Sequence, residues 1–301
     1  MARVNRENLA AAGYIACWKI VRYLPQPVAA WLFERGADYA SDKGAGMEQL
    51  RQNLSRVVGP ENVTRELVRD SMRSYMRYWL EAFRLPAIHA DPTLHEQLLA
   101  GMRGKEHSDA SIASGRGVIF ALPHSGNWDM AGVFCVNHYG GFTTVAERLK
   151  PEALFDAFVD YRESLGFTVL PLTGASSSPF PRLKDTLERG GVVCLLAERD
   201  LTRTGVTVDF MGEKANVAAG PAQLAIETGA ALHVVHSFFD GDGWGLSVSP
   251  EIEVTTLQET CQRMADGFAK NIREHPEDWH MLQPQWNADV ERRRRRQRDR
   301  K

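Results

Sequence analysis

The pattern of apolar and polar positions changes near Gly117. From Met1 to about Leu99 apolar residues recur at three- and four-residue spacing, which predicts helices only. The clearest helix is Val63–Phe83, where Val63, Leu67, Ser71, Tyr75, Tyr78, Trp79 and Ala82 follow that spacing. Arg65, Arg69, Arg73 and Arg77 recur every fourth residue and, beside Glu66, Asp70 and Glu81, read as a solvated face, with an anion- or membrane-facing stripe as the alternative. Beyond Gly117 short apolar runs alternate with helical stretches. Strands are expected at Gly117–Pro123, Thr143–Glu147, Phe167–Leu172, Val192–Ala197, Ala231–Phe239 and Leu246–Ser249. Helices are expected at Asn127–Tyr139, Pro151–Leu165, Phe180–Arg189, Gly220–Thr228 and Leu257–Glu274. This alternation predicts an α/β fold: a mostly parallel central sheet flanked by helices, with an all-helical N-terminal layer. No linker or repeat interrupts it. A single domain over residues 1–290 follows, helical over 1–100 and α/β over 117–286.

Charge is unevenly distributed. The segment 291–301 holds eight basic and two acidic residues, so it carries +6 of a chain total of −2, and the rest carries −8. An acidic body does not suit nucleic acid, whereas the basic end reads as a disordered tail that can seek anionic lipid head groups. Leu9–Trp18 is apolar but is followed by Lys19, Arg22 and Pro25, too short for a span of ~20 residues and without a cleavage site. Tyr14, Trp18 and Tyr23 among these cations suit either a lipid–water interface or packing on the domain. Four scattered cysteines, Cys17, Cys135, Cys194 and Cys261, read as buried thiols of a reducing compartment.

GxSxG, GxxxxGK[ST], HExxH and GxGxxG are all absent from the chain. What remains is His124-Ser125-Gly126-Asn127-Trp128-Asp129, directly after the strand at Gly117–Pro123. Open α/β sheets place their ligand crevices at that end of a strand. Five helical residues amount to ~500°, so His124 and Asp129 can meet only if the histidine lies in the loop and the aspartate in the first helical turn. Ser125 is a candidate N-cap and Gly126 permits a tight turn. Asp129 could then hold one ring nitrogen of His124 while the other acts as a general base. The alternative is that Asp129 only favours the helix N-terminus. Glu198 ends the apolar strand Val192–Ala197 and is expected on the same rim as His124, with a surface carboxylate paired to Arg199 as the alternative reading.

The His124–Asp129 sequence resembles the HxxxxD signature of glycerolipid acyltransferases, in the branch of the lipid A lauroyl- and myristoyltransferases. The resemblance runs from about Gly117 to Trp286, through Phe210-Met211-Gly212 and Gly220-Pro221-Ala222-Gln223-Leu224-Ala225. Leu195–Asp200 and Asp278–Pro284 are most similar to the actinobacterial subfamily that acylates mannosylated phosphatidylinositol. The resemblance implies transfer of a long acyl chain, typically palmitoyl, from acyl-CoA to the 6-hydroxyl of the mannose on inositol position 2. His124 would be the base, Asp129 its orienting partner and Glu198 the second catalytic carboxylate. No cofactor, metal or acyl-enzyme is implied, and the place of action is the cytoplasmic face of the cell membrane, held peripherally. For substrate binding, Arg203 and Thr204 lie in a loop near the rim. Arg162 matches a family position, with a helix-end cation as the alternative reading. Glu147 ends a strand and could instead pair with Arg148. Glu227, Trp279 and His280 come from the resemblance. Other readings are acylation of a different glycolipid or a lysophospholipid, acyl-CoA hydrolysis, or lipid binding without catalysis.

Overall fold

The structure, a computed structural model, describes residues 13, 18, 20–147, 152–172, 178–200 and 204–299. Its N-terminal layer is built from α1 (Gln26–Ala40), α2 (Glu48–Val58), α3 (Arg65–Ile88) and α4 (Pro92–Ala100). The long α3 starts where Thr64 accepts the Leu67 N–H, and continues past the expected Phe83 with Pro86 in its last turn. Arg65 is exposed and Arg69 pairs with Asp70 at 3.0 Å on the expected solvated face, but Arg73 and Arg77 leave it. Arg73 makes two 2.7 Å bonds to Asp38 of α1, and Arg77 binds Glu81 at 2.8 Å. The neighbouring elements supply partners that a helical wheel cannot show.

The remaining elements run β1 (Met102–Arg103), α5 (Lys105–Ala113), β2 (Val118–Leu122), α6 (Trp128–Tyr139), β3 (Thr143–Ala146), α7 (Glu152–Ser164), β4 (Thr168–Pro171), α8 (Phe180–Glu188), β5 (Val192–Leu196), β6 (Val206–Phe210), β7 (Glu213–Val217), α9 (Gly220–Thr228), β8 (Ala231–Asp240), β9 (Gly243–Val248), α10 (Leu257–Glu274) and α11 (Asn287–Arg298). Seven strands form one sheet in the order β1-β9-β8-β2-β5-β3-β4, parallel except at the β8–β9 hairpin. The fold is thus the expected mixed α/β arrangement with a helical N-terminal region. Alternation along β2 divides the core. Ile119 and Ala121 face α8, α9 and α10, whereas Val118, Phe120 and Leu122 face α3 and α6. Both faces of β2 are buried, which explains why it reads as one continuous apolar run. The α10 helix buries Cys261, Met264, Ala265, Phe268 and Ile272, one stripe of a 3.6-residue period, against the first face.

Three features depart from the expected elements. The β6–β7 hairpin and the short β1 were not anticipated. Met211 and Gly212 both hold positive φ (52° and 88°), the condition for a two-residue turn that matches strand twist. The basic end is the third. It is helical to Arg298 rather than disordered, because arginine forms helix readily and the buried Asp289 ties the first turn to Arg56 at 2.9 Å and Arg292 at 3.3 Å. Trp18 packs inside the domain, with ring centres 5.0–5.4 Å from Phe83, Phe158 and Tyr161. Tyr14, Lys19 and Cys17 lie outside the described residues. Cys135, Cys194 and Cys261 are free thiols.

Candidate active site

The chain leaves β2 at Leu122 and turns through Pro123–Asn127 into α6. Gly126 makes the turn with φ of +54°, and a Cβ there would sit 2.5 Å from the Ser237 carbonyl oxygen, so only glycine fits. The helix cap is Asn127, not Ser125: its Oδ1 accepts the Met130 N–H at 3.0 Å. Ser125 is buried and forms an antiparallel bridge with Trp279. Around that bridge the Gly126 N–H donates to the Asp278 carbonyl at 2.9 Å and the His280 N–H to the His124 carbonyl at 2.8 Å. The segment after α10 therefore straps the loop in place.

Parallel register sets the next contact. Leu122 pairs with Leu196, so His124 and Glu198, each two residues further on, arrive level at the rim. His124 Nδ1 lies 2.7 Å from Glu198 Oε1, which also accepts the His124 backbone N–H at 2.9 Å. An ionised carboxylate only accepts, so Nδ1 carries the hydrogen and Nε2 is left as the basic nitrogen. Burial pushes the Glu198 carboxyl up, but the His124 imidazole and N–H outweigh it and hold the group below its ordinary range. Glu198 is fully buried whereas the His124 side chain is 39% exposed. The dyad thus has a protected acid and an accessible base.

Asp129 is not the partner of His124. Its Oδ1 accepts Arg162 Nε at 2.9 Å and its Oδ2 accepts the Tyr78 hydroxyl at 3.1 Å. Among the described residues no hydrogen bond joins it to His124. The first turn of α6 aims Asp129 at α3 and α7, while the loop carries His124 towards β5, and the nearer Glu198 takes the orienting place. Arg162, in the last turn of α7, is nearly buried; burial lowers its pKa, but the Asp129 carboxylate more than offsets this and keeps it charged. Asp129 and Arg162 line one part of a small, largely apolar cavity between the sheet and α6. Phe120, Leu122, Phe134, Cys194, Leu196 and Val235 supply much of the rest.

The other expected residues divide. Glu147 is exposed just past β3, at the same end of the sheet as His124, and Thr204 lies exposed before β6. Arg203 lies outside the described residues. Glu227 is not brought to the site. It pairs with Lys184 at 3.0 Å on α9, which leads into the start of β8, the opposite end of the sheet. Trp279 is fully buried against Phe210 and Trp286, and His280 is buried with Nε2 2.9 Å from Ser74 Oγ. Both support the loop from beneath rather than line an opening. Sequence reasoning missed Asn127, Ser74, Tyr78, Glu81 and Gln285, whose Nε2 donates to the Glu198 carbonyl at 2.6 Å. Only Asn127, directly before a helical period, carried a local signal for its role.

These buried histidines predict acid sensitivity. Burial holds His280 and His236 down at about 3, so below about pH 6.5 the unfolded chain takes up protons that the native state refuses. Stability is lost as pH falls through that window. Asp278, pushed up to about 6 by burial, gains a proton in the native state over the same range and offsets part of the loss. Between pH 7 and pH 5 the net cost is roughly 2 kcal/mol, readable as a lower urea midpoint. An unchanged or higher midpoint at pH 5 would contradict it.

The model of the family described as "Bacterial lipid A biosynthesis acyltransferase" matches residues 3–288. A curated relative from Mycolicibacterium smegmatis, named phosphatidylinositol mannoside acyltransferase, is 56% identical over 282 residues, covering 92% of this chain and 91% of the relative. A relative of the same name from Mycobacterium tuberculosis is 53% identical over 288 residues, covering 94% and 90%. A family match over nearly the whole length, carried by a sheet that levels His124 with Glu198, establishes that this chain belongs to the bacterial lipid A biosynthesis acyltransferase family.

Proposed function

We propose that the protein transfers a long acyl chain, such as palmitoyl, from acyl-CoA to the 6-hydroxyl of the mannose on inositol position 2 of phosphatidylinositol mono- or dimannoside. The observation that carries the chemistry is the 2.7 Å contact between His124 Nδ1 and the buried Glu198, which leaves Nε2 basic and accessible. Nε2 takes the proton of the sugar hydroxyl as its oxygen attacks the thioester carbonyl. The C–S bond then breaks as the ester C–O bond is completed, and the imidazolium returns its proton to the departing thiolate. Glu198 stabilises the imidazolium between these steps. The apolar lining near Asp129 and Leu196 offers an entry point for the acyl chain, and the relatives' name supports the mannosylated acceptor.

Peripheral attachment to the cytoplasmic face of an anionic membrane belongs to the same reading. Among the described residues no helix is long and apolar enough to cross a membrane. Tyr23 and, on α1, Val28, Trp31, Leu32 and Tyr39 are exposed, and α11 adds exposed Arg292–Arg296 and Arg298, a combination suited to an anionic interface. The deciding experiment offers labelled palmitoyl-CoA to the protein on anionic vesicles carrying phosphatidylinositol mannosides, phosphatidylinositol or a lysophospholipid. Mass spectrometry is expected to find the label on the mannose of the mannosides. Label on another lipid alone, or CoA release that ignores the mannoside, would replace this reading by a different acceptor or by thioester hydrolysis.

A further inference from the structure

Among the polar side chains that helix α3 buries are Ser74, Tyr78 and Glu81. At offsets of 0, 4 and 7 residues they lie within ~60° of one another on the helix, so they form one stripe. Each touches a different part of the assembly that holds His124. Ser74 Oγ donates to Asp278 Oδ1 at 2.6 Å and lies 2.9 Å from His280 Nε2, gripping the two residues whose backbones strap the loop. Tyr78 donates to Asp129, at the start of α6. Glu81 reaches the turn itself. Its Oε2 accepts Asn127 Nδ2 at 2.7 Å and Trp244 Nε1 at 2.8 Å, while its Oε1 accepts Arg77 Nε at 2.8 Å.

A carboxylate inside a packed layer costs free energy unless it is fully paired, and one that serves only packing is readily replaced by an apolar side chain. Here all three donors aim at it. Arg77 in turn donates to the carbonyls of Gly241, Asp242 and Gly243, so the carboxylate is braced from the β8–β9 turn. The consequence falls on Asn127. Its Oδ1 must accept the Met130 N–H to cap α6, and its Nδ2 must donate to Glu81. Only one orientation of the amide satisfies both. That orientation fixes the backbone three residues after His124, in a turn whose other end is held by Glu198.

We infer that Glu81 is a positioning residue for acyl transfer: it locks Asn127, and through Asn127 the turn that aims the His124 imidazole, with Ser74 and Tyr78 seating the flanking segments. The inference rests on His124 being the base. Misplacement by about 1 Å can cost on the order of 10²-fold in rate, so Glu81→Ala is expected to lower kcat about 100-fold with KM changed less than about threefold. Glu81→Gln keeps one acceptor oxygen for Asn127 and should recover about tenfold of that loss. The control is Val68→Ala on the same helix. Val68 is fully buried in a satellite cluster with Ala37, Leu50, Leu54 and Met72, so its truncation should lower thermal stability while leaving kcat within about twofold.

The three variants are assayed with palmitoyl-CoA and phosphatidylinositol mannoside vesicles beside their melting curves. A folded Glu81→Ala with kcat within threefold of wild type overturns the inference, as does Val68→Ala losing as much kcat as Glu81→Ala. If Glu81→Ala does not fold, Glu81→Gln decides: a tenfold lower kcat at unchanged KM supports the role, and a loss under threefold refutes it. Activity retained by His124→Ala would instead remove the base, a separate failure that these variants do not mimic.

Discussion

His124→Ala is expected to lower the turnover of acyl transfer by about 10²–10⁴-fold, the contribution typical of a positioned general base. The substrates' KM should change little, because the neighbouring apolar cavity is lined by other residues. The change also strips Glu198 of the imidazole that holds its pKa down. The carboxyl, still fully buried, then rises towards its neutral form. A group whose folded pKa is raised contributes stability below its unfolded pKa and loses it as pH rises. Relative to wild type, the variant should therefore be more destabilised at pH 8 than at pH 5. Steady-state kinetics and denaturant midpoints at the two pH values test both halves. Turnover within tenfold of wild type would remove His124 from the chemistry.

The second large effect is on stability. Arg162→Leu removes the guanidinium that faces Asp129 at 2.9 Å and leaves that carboxylate buried with the Tyr78 hydroxyl alone. Breaking a buried ion pair from one side typically costs about 3–5 kcal/mol, because the remaining charge is uncompensated. Replacing both partners removes that penalty, so Arg162→Leu combined with Asp129→Leu should recover most of the loss. Urea unfolding of the two single variants and the double variant measures the coupling. A single-variant loss below about 1 kcal/mol would mean that the pair is solvated and that Asp129 has some other task.

Elements whose signal lies in neighbouring residues are legible in the sequence, and those fixed by distant partners are not. Helix α10 is legible at its observed bounds, Leu257–Glu274, because one apolar stripe marks it. Strands β2 and β5 were visible because burial on both faces leaves no polar positions. Placing His124 and Glu198 on one rim followed from two strands of the same polarity. Hairpin β6–β7 was missed although Val206, Val208 and Phe210 alternate, since five residues with charged neighbours give a weak period. The basic end was misread because charge composition says nothing about the anchor: Asp289 finds Arg56 far away in the chain.

The amino-acid order by itself determined the α/β layering, the loop that bears His124 and the strand end that bears Glu198, because periodicity and apolar runs are properties of neighbours. Which carboxylate orients the imidazole was decided only in three dimensions. Spacing within one segment allowed Asp129. The sheet register brought Glu198 to 2.7 Å, and Arg162 and Tyr78 drew Asp129 away to a buried ion pair. Hydrogen bonds of this kind join residues dozens of positions apart, and no local pattern records such a partner before the chain has packed.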